Sequence, residues 1–312
     1  MILYAARAPP GSHLDKNLSK TLVEVHSGLR FAKCPQWIHQ RLWFLDVHDR
    51  CIKSTDMKGT VLTEKALSYL PGTFAIPDTE CLLVGDAWRR KLYCLGKDGQ
   101  EQVTDLSNIA NVCLSDAIVA TQGGIYVGDV GFDFLEPLID PVANGIIVHI
   151  EKGGRVSVVA EDLFFPNGMV ITPDESTLIV AETLGHILTA FDIGKDGSLG
   201  NRRVWARLPD HVNPDGICLD GEGAIWAATT TPRALRILED GQIVDEVVAE
   251  QPVFAVTLGG TQCQHLFMCT SASSDPIITR HTPGAAIEIA ALTVSGVSAI
   301  PNQLNVCRSI MR

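Results

Sequence analysis

The sequence has little positive charge and no long hydrophobic run. Its 312 residues include 25 Lys and Arg against 36 Asp and Glu, which gives a formal net charge of −11. A nucleic-acid partner requires clustered Lys and Arg, so this charge balance argues against one, and it equally argues against an acidic membrane surface. No apolar run approaches the roughly 20 residues of a membrane-spanning helix. We therefore expect neither nucleic acid nor membrane as a partner.

An export signal and paired cysteines are also missing. Residues 1–20 contain no charged region followed by a long apolar core, so we predict no signal peptide. Because residues 8–14 are rich in turn formers, we interpret residues 1–20 as a flexible lead-in. The nine cysteines are scattered singly, without a Cys-x-x-Cys pair. This usage is typical of reduced, mostly buried thiols, so we expect a cytoplasmic protein.

Several catalytic signatures and one class of secondary structure are absent. The chain has no Gly-x-Ser-x-Gly, no His-Glu-x-x-His and no phosphate-binding loop. It also has no convincing amphipathic helix, which excludes a fold in which strands alternate with helices.

The sequence does contain a short apolar segment that recurs six times, at residues 42–45, 82–84, 125–127, 178–180, 225–227 and 266–268. About ten residues upstream of each segment lies a residue that is ionisable or polar in most copies: Lys33, Thr73, Ser115, Asn167, Asp215 and Phe254. A repeat of roughly 40–50 residues made of short strands and turns is typical of a β-propeller.

The best-formed repeat shows what each unit contains. Strands are predicted at residues 168–172, 177–182, 187–192 and 203–206, with Asp- and Gly-containing turns between them. We therefore predict an all-β fold, a six-bladed β-propeller of four-stranded antiparallel blades, as a single domain over residues 21–312. Either residues 21–25 or residues 303–306 are expected to supply the strand that closes the ring.

The antiparallel pairing of strands predicts that the candidate polar residues lie at one mouth of the channel. The first strand of each blade runs along the channel and the second returns, so first-strand openings and second-strand ends share a mouth. The second-strand ends are Asp46, Asp86, Asp129, Glu182, Thr229 and Thr270. An Asp at a strand end can simply cap a turn, but the shared phase across four blades favours a functional rim. Four aromatic residues near this mouth suit an apolar substrate or belong to the core: Trp88, Phe132, Phe134 and Phe254.

Two motifs carry a resemblance to a known family. Residues 165–169 read Phe-Pro-Asn-Gly-Met and residues 213–220 read Asn-Pro-Asp-Gly-Ile-Cys-Leu-Asp. With them, the chain from about residue 29 to residue 267 resembles the gluconolactonase/regucalcin (senescence-marker) family. The resemblance implies a six-bladed propeller with one divalent metal, calcium or a similar ion, in its channel. It also implies the ligands, a Glu of the first blade, the Asn of Pro-Asn-Gly and the Asp of Pro-Asp-Gly, and makes that Asp the candidate general base or acid in lactone hydrolysis.

Carried onto this sequence, the resemblance implies Asn167 and Asp215 as metal ligands, but the Glu is not matched. Lys33 stands at its position, within Phe-Ala-Lys-Cys-Pro-Gln-Trp. A hard divalent cation prefers anionic oxygen ligands, and nearby carboxylates keep a lysine protonated. The change indicates that the metal is lost or weakly bound, with the Lys33 ammonium in its place. The alternative is that Lys33 turns away and the metal survives on Asn167, Asp215 and water.

The family resemblance and the changed position together lead to the functional expectation. We expect a small-molecule substrate and a lactonase-like hydrolase in which Asp215 and Lys33 are catalytic. The expected substrate-binding residues are Asn167, Ser115, Asp116, Asp129 and Glu182, where Ser115-Asp116 replaces the Asn-Asp that the family often has. Two alternatives stay open: a metal-independent isomerase, cyclase or lyase that uses Lys33 and Asp215, and a non-catalytic ligand-binding propeller. The oligomeric state is open as well.

Overall fold

The computed structural model describes residues 20–78, 81–97, 101–133 and 142–296. In these ranges the chain forms six four-stranded antiparallel sheets. The first strand, β1 (Leu22–Leu29), belongs to the last sheet. The first blade consists of β2 (Ala32–Ile38), β3 (Arg41–Asp46), β4 (Cys51–Thr55) and β5 (Val61–Ala66). The second consists of β6 (Pro71–Asp78), β7 (Cys81–Asp86), β8 (Lys91–Gly96) and β9 (Glu101–Asp105).

The remaining blades repeat the same order. The third consists of β10 (Leu114–Val119), β11 (Ile125–Asp129), β12 (Gly145–Ile150) and β13 (Val156–Leu163). The fourth consists of β14 (Pro166–Ile171), β15 (Thr177–Glu182), β16 (Ile187–Ile193) and β17 (Leu199–Arg207). The fifth consists of β18 (Ile217–Leu219), β19 (Ile225–Ala228), β20 (Arg233–Ile237) and β21 (Ile243–Val248). The sixth adds β22 (Val253–Gly259), β23 (His265–Thr270) and β24 (Ala285–Ala291) to β1. The predicted six-bladed β-propeller is confirmed.

The recurring apolar segments are the second strands of the blades, and burial on both faces explains their composition. All residues of β11 are buried, as are all but the first of β15. A strand covered by a neighbouring sheet on each side has no solvent face, so its apolar residues run continuously instead of alternating. The outermost strands are partly or largely exposed, so they contain fewer apolar residues and are harder to recognise in the sequence.

The N-terminal strand closes the ring. Strand β1 pairs antiparallel with β24, with Val23 opposite Ile289 and Leu29 opposite Ala285. Of the two predicted closing segments, the one at residues 21–25 is therefore confirmed, whereas residues 303–306 lie outside the described part of the chain. Most of the predicted lead-in lies outside it too, so that assignment stays a prediction.

Short helices interrupt the strands at three loops, and one α-helix lies above the channel. The 3₁₀ helices span Val47–Asp49, Thr183–Gly185 and Thr261–Cys263. Helix α1 (Pro276–His281) lies between β23 and β24, and the Asp275 carboxylate caps it by accepting a hydrogen bond from Ile277 N at 2.7 Å. The sequence pattern did not reveal this helix because six residues are too few to show a helical periodicity. Among the described residues, no helix is long and apolar enough to cross a bilayer.

The cysteine prediction needs a correction at one pair. Cys81 on β7 and Cys94 on β8 form a disulfide between neighbouring strands, so the expectation that all thiols are reduced is wrong there. The spacing of cysteines along the sequence does not reveal this pair, because the two residues lie 13 positions apart and meet only when their strands pair. The other cysteines in the described ranges are free: Cys34, Cys51, Cys113, Cys218, Cys263 and Cys269.

Leu29 tests the contribution of the closing strand to stability. Its side chain is 2% exposed and belongs to a core cluster with Phe44, Phe267 and Ile287. We expect Leu29→Ala to lower the free energy of unfolding by about 2–5 kcal/mol through the cavity it leaves. The matched control is Val23→Ala on the same strand, where the side chain is 49% exposed and the loss should stay below about 0.5 kcal/mol. Urea denaturation of both variants measures the difference, and equal losses would refute closure by β1.

Candidate active site

A cavity of about 870 Å³ opens at the mouth where first strands begin and second strands end. Its lower part is polar and is called the floor here; it consists of Lys33, Ser115, Asp116, Asn167 and Asp215. The walls above the floor are mostly apolar and aromatic, and helix α1 contributes to the rim. Five of the candidate residues from the sequence therefore meet at this mouth of the channel.

Lys33 and Asp215 form the centre of the floor. Lys33 Nζ donates hydrogen bonds to Asp215 Oδ1 and, at 3.2 Å, to the carbonyl oxygen of Phe254. The Lys33 and Asp215 side chains are only 11% and 7% exposed. The pair thus joins the first blade directly to the fifth, and the same ammonium also binds the backbone of the sixth blade.

Backbone bulges and two glycines bring these side chains to the channel. The register of the first and second strands shifts just after Lys33, around Ser115 and around Asn167, and bulges of this kind re-aim side chains near active sites. Gly168 N donates to the Asp215 carbonyl, and Gly216 N donates to the Phe254 carbonyl. A Cβ at Gly168 would lie 2.5 Å from the Asp215 oxygen. The glycines of Pro-Asn-Gly and Pro-Asp-Gly therefore permit neighbouring first strands to approach closely.

Opposing effects set the protonation of the pair. Burial lowers the pKa of Lys33, but the carboxylates of Asp215 and Asp116 outweigh burial and raise that pKa above its ordinary value. Burial also raises the pKa of Asp215 to about 6, against the opposing effect of Lys33. Near neutral pH Lys33 is therefore a cation, and Asp215 is a carboxylate close to its titration range.

The other three floor residues have distinct neighbours. Asn167 Nδ2 donates to Thr183 Oγ1 at 3.2 Å, and that hydroxyl donates to the Pro214 carbonyl at 2.8 Å. Ser115 Oγ donates to the Pro166 carbonyl at 2.7 Å. Cys34 Sγ donates to Asp116 Oδ1 at 3.4 Å. Asp116 also lines a smaller cavity of about 190 Å³, so it lies between the two spaces.

Asp129 and Glu182, which were expected to bind substrate, do not line the mouth cavity. Both are fully buried and accept hydrogen bonds from the segment that precedes their own blade. Asp129 accepts from Val112 N and Cys113 N, and Glu182 accepts from Phe164 N at 2.8 Å. Asp46 has the same arrangement, with hydrogen bonds from Arg30 N and Phe31 N. The shared phase of these carboxylates therefore reflects a repeated structural role in the blades.

Several cavity residues had no signal in the sequence pattern. Thr183 follows a strand end, and helix α1 brings Ile277 to the rim from a long loop. Of the aromatic candidates, Trp88 and Phe254 line the cavity. Phe132 packs edge-on against Phe165 at a centroid distance of 5.5 Å, and Phe134 lies outside the described residues. Only the length of the segment between β23 and β24 hinted at an inserted element.

The floor residues do not fit the divalent metal that the resemblance implies. In the described ranges, no group of three or more His, Cys, Asp or Glu side chains is arranged to hold a metal ion. Asp215 Oδ1 accepts a hydrogen bond from Lys33 instead, and a protonated amine has no lone pair for a metal. A cation bound to Asp215 and Asn167 would also face the positive charge of Lys33. This disagreement with the implied metal site follows from one residue.

The comparisons with known proteins agree with this architecture. The sequence model of the SMP-30/Gluconolactonase/LRE-like region matches residues 31–272. The chain therefore belongs to the SMP-30/gluconolactonase/LRE-like family, and the resemblance noted in the sequence is confirmed. The family is lactonase-like, as the names of its members indicate.

Individual relatives have low sequence identity to this chain, but the matches cover most of both proteins. The 6-deoxy-6-sulfogluconolactonase of Pseudomonas putida is 28% identical over 251 residues, covering 77% of this chain and 83% of that protein. Regucalcin of Gallus gallus is 30% identical over 217 residues, covering 65% and 71%. A solved gluconolactonase structure from Xanthomonas campestris has a TM-score of 0.71 at 24% identity, over 88% of this chain and 89% of that chain. This last likeness concerns the fold.

Lys33→Glu tests whether one residue decides metal binding. A third oxygen ligand beside Asp215 and Asn167 should allow Ca²⁺ to bind. Without the ion, the added carboxylate repels Asp215, so the variant should melt below the wild type. Saturating Ca²⁺ should then raise its melting temperature by about 5 °C and leave the wild type unchanged. Differential scanning calorimetry measures both temperatures.

The control for this experiment is Lys33→Gln, which removes the ammonium without adding a carboxylate. It should respond to Ca²⁺ much less than Lys33→Glu. A wild-type protein that is stabilised by Ca²⁺ as strongly as Lys33→Glu would contradict the conclusion that the floor does not fit a metal.

Proposed function

We propose that this protein hydrolyses a lactone or related cyclic ester in its mouth cavity, with the Lys33 ammonium at the position where the family resemblance implies a metal. The observation that carries the proposal is the buried contact between Lys33 and Asp215 at the floor of the cavity. Membership in a lactonase-like family supports the reaction class. The substitution of Lys33 for the expected Glu supports a metal-independent route.

Lys33 stabilises negative charge in this mechanism. An ammonium group has three N–H donors, and two of them are directed to Asp215 and the Phe254 carbonyl. The third N–H is available for the carbonyl oxygen of the substrate. As water attacks, that oxygen becomes an oxyanion, and a positive charge fixed in a buried site stabilises it more than it stabilises the neutral ester.

Asp215 transfers the protons. Its carboxylate accepts a proton as the water oxygen bonds to the ester carbon, and the tetrahedral intermediate then expels the ring oxygen. The resulting alkoxide takes the proton back from Asp215, which yields the open hydroxy acid and restores the carboxylate. A pKa of about 6 allows both steps near neutral pH. Asn167, Ser115 and Asp116 lie on the same floor and are proposed to orient the ester.

A second candidate uses the same pair without water. A cation and a carboxylate that face one cavity also suit proton transfer in an isomerase, cyclase or lyase, and the observation favouring it is the mostly apolar wall around the pair. Hydrolysis incorporates one oxygen atom of solvent into the product, and the alternative reactions incorporate none. Turnover in H₂¹⁸O therefore separates the two candidates by mass spectrometry.

Substitution of Asp215 tests the hydrolase proposal. Asp215→Asn keeps the shape of the side chain but cannot accept a proton, so kcat should fall by about 10²–10⁴-fold with little change in KM. Steady-state kinetics on a lactone panel measures this effect, and product mass in H₂¹⁸O should rise by one oxygen label. Activity that survives in Asp215→Asn would remove Asp215 from the mechanism. A panel that is bound but never turned over would favour a ligand-binding propeller.

The pH dependence provides an independent test. Protonated Asp215 cannot act as a base, so kcat/KM should fall as pH decreases through the pKa of about 6 and should form a plateau above it. Because the pKa of Lys33 lies above its ordinary value, no loss of activity from Lys33 titration is expected up to pH 9. A profile measured from pH 4.5 to pH 9 checks both limbs. A plateau that extends unchanged to pH 4.5 would contradict the role of Asp215.

A further inference from the structure

We infer that the substrate is an apolar lactone with an alkyl or aryl substituent, not a polyhydroxylated sugar lactone. This inference rests on the proposed function and concerns the same cavity. The apolar part of its wall includes Phe31, Val47, Trp88, Val130, Phe165 and Phe254. A volume of about 870 Å³ lies within the range of cavities that hold large organic ligands.

Several polar side chains of this cavity already have hydrogen-bond partners within the protein. Ser115 Oγ already donates to a backbone carbonyl, and Thr183 Oγ1 both donates to one and accepts from Asn167. His48 Nδ1 is hydrogen-bonded to Thr279 Oγ1 at 2.6 Å. Burial of a hydroxyl without a partner is unfavourable, whereas burial of apolar area is favourable. Arg50, Ser274, Asp275 and Arg280 also line the cavity, next to the 3₁₀ helix at Val47–Asp49 and on or beside helix α1. One ester group would lie at the floor, and an apolar substituent would lie against the aromatic wall.

The aromatic wall is held in place by its own contacts. Phe31 stacks on His48 at a centroid distance of 4.9 Å and meets Phe254 edge-on at 5.0 Å. Burial, followed by the positive charge of Arg280, lowers the pKa of His48 to about 4 and outweighs the nearby carboxylates, which raise it, so this ring is neutral near pH 7. One side of the cavity is thus an ordered apolar surface before any ligand binds.

Helix α1 leaves one apolar side chain uncovered at the rim. Ile277 lines the cavity and is 72% exposed, whereas its neighbour Ile278 is 48% exposed and does not line it. The Asp275 cap and the contact of Thr279 with His48 fix the helix above the mouth. An apolar substituent on the substrate would cover Ile277 and bury its apolar surface favourably. A sugar hydroxyl would gain no such free energy from contact with this side chain.

The test compares substrates and two matched variants. Dihydrocoumarin and dodecalactone should be hydrolysed with kcat/KM at least a hundredfold above that of gluconolactone. Ile277→Ser should raise KM for dodecalactone by roughly tenfold with kcat nearly unchanged, and Ile278→Ser should leave both parameters near those of the wild type. Because both side chains are exposed, neither substitution should unfold the protein. Calorimetric titration with the lactam analogue of dodecalactone measures binding without turnover.

The possible outcomes separate this inference from the hydrolase proposal. If no lactone is hydrolysed but the apolar lactam binds, and Ile277→Ser weakens that binding tenfold, the apolar ligand class stands and hydrolysis fails. If gluconolactone is the preferred substrate, hydrolysis stands and the apolar class is overturned. Equal effects of Ile277→Ser and Ile278→Ser would also overturn it.

Discussion

The buried contact between Lys33 and Asp215 is the interaction on which the site depends. It joins the first and fifth blades, and the Phe254 carbonyl of the sixth blade accepts a further hydrogen bond from the same ammonium. Two buried charges stabilise a fold only modestly as a pair, but loss of one partner costs about 3–5 kcal/mol because the other charge is left uncompensated. Each member therefore constrains the other, and the positive charge of Lys33 disfavours a second cation at the floor.

The apolar walls and the charged floor act together. A wall that is mostly aromatic and aliphatic surrounds the region above Lys33 and Asp215, and charges interact more strongly where the local dielectric is low. The same burial raises the pKa of Asp215 towards neutrality. One physical condition, the low polarity of the surroundings, thus underlies both the proton-transfer role proposed for Asp215 and the preference proposed for apolar substrates.

Repetition in this fold serves structure, and the candidate site lies where the repeat varies. Asp46, Asp129 and Glu182 occupy equivalent positions and bind backbone amides in the same way, so their regular phase is a property of the blade. The first-strand openings differ from blade to blade, with Lys33, Ser115, Asn167 and Asp215 at four of them. These four varied positions line the cavity.

The sequence alone determined the six blades, the family, and the mouth at which the candidate site residues meet. Strand periodicity and turn residues are local properties, and the two Gly motifs occur where neighbouring strands approach closely. Only the tertiary structure separated Lys33 and Asp215, which face the cavity, from Asp129 and Glu182, which face backbone amides. It also revealed helix α1 and the pair Cys81 and Cys94. These features depend on bulges, on loop paths and on contacts between residues that are distant along the chain, and such contacts leave no periodic signal in the sequence.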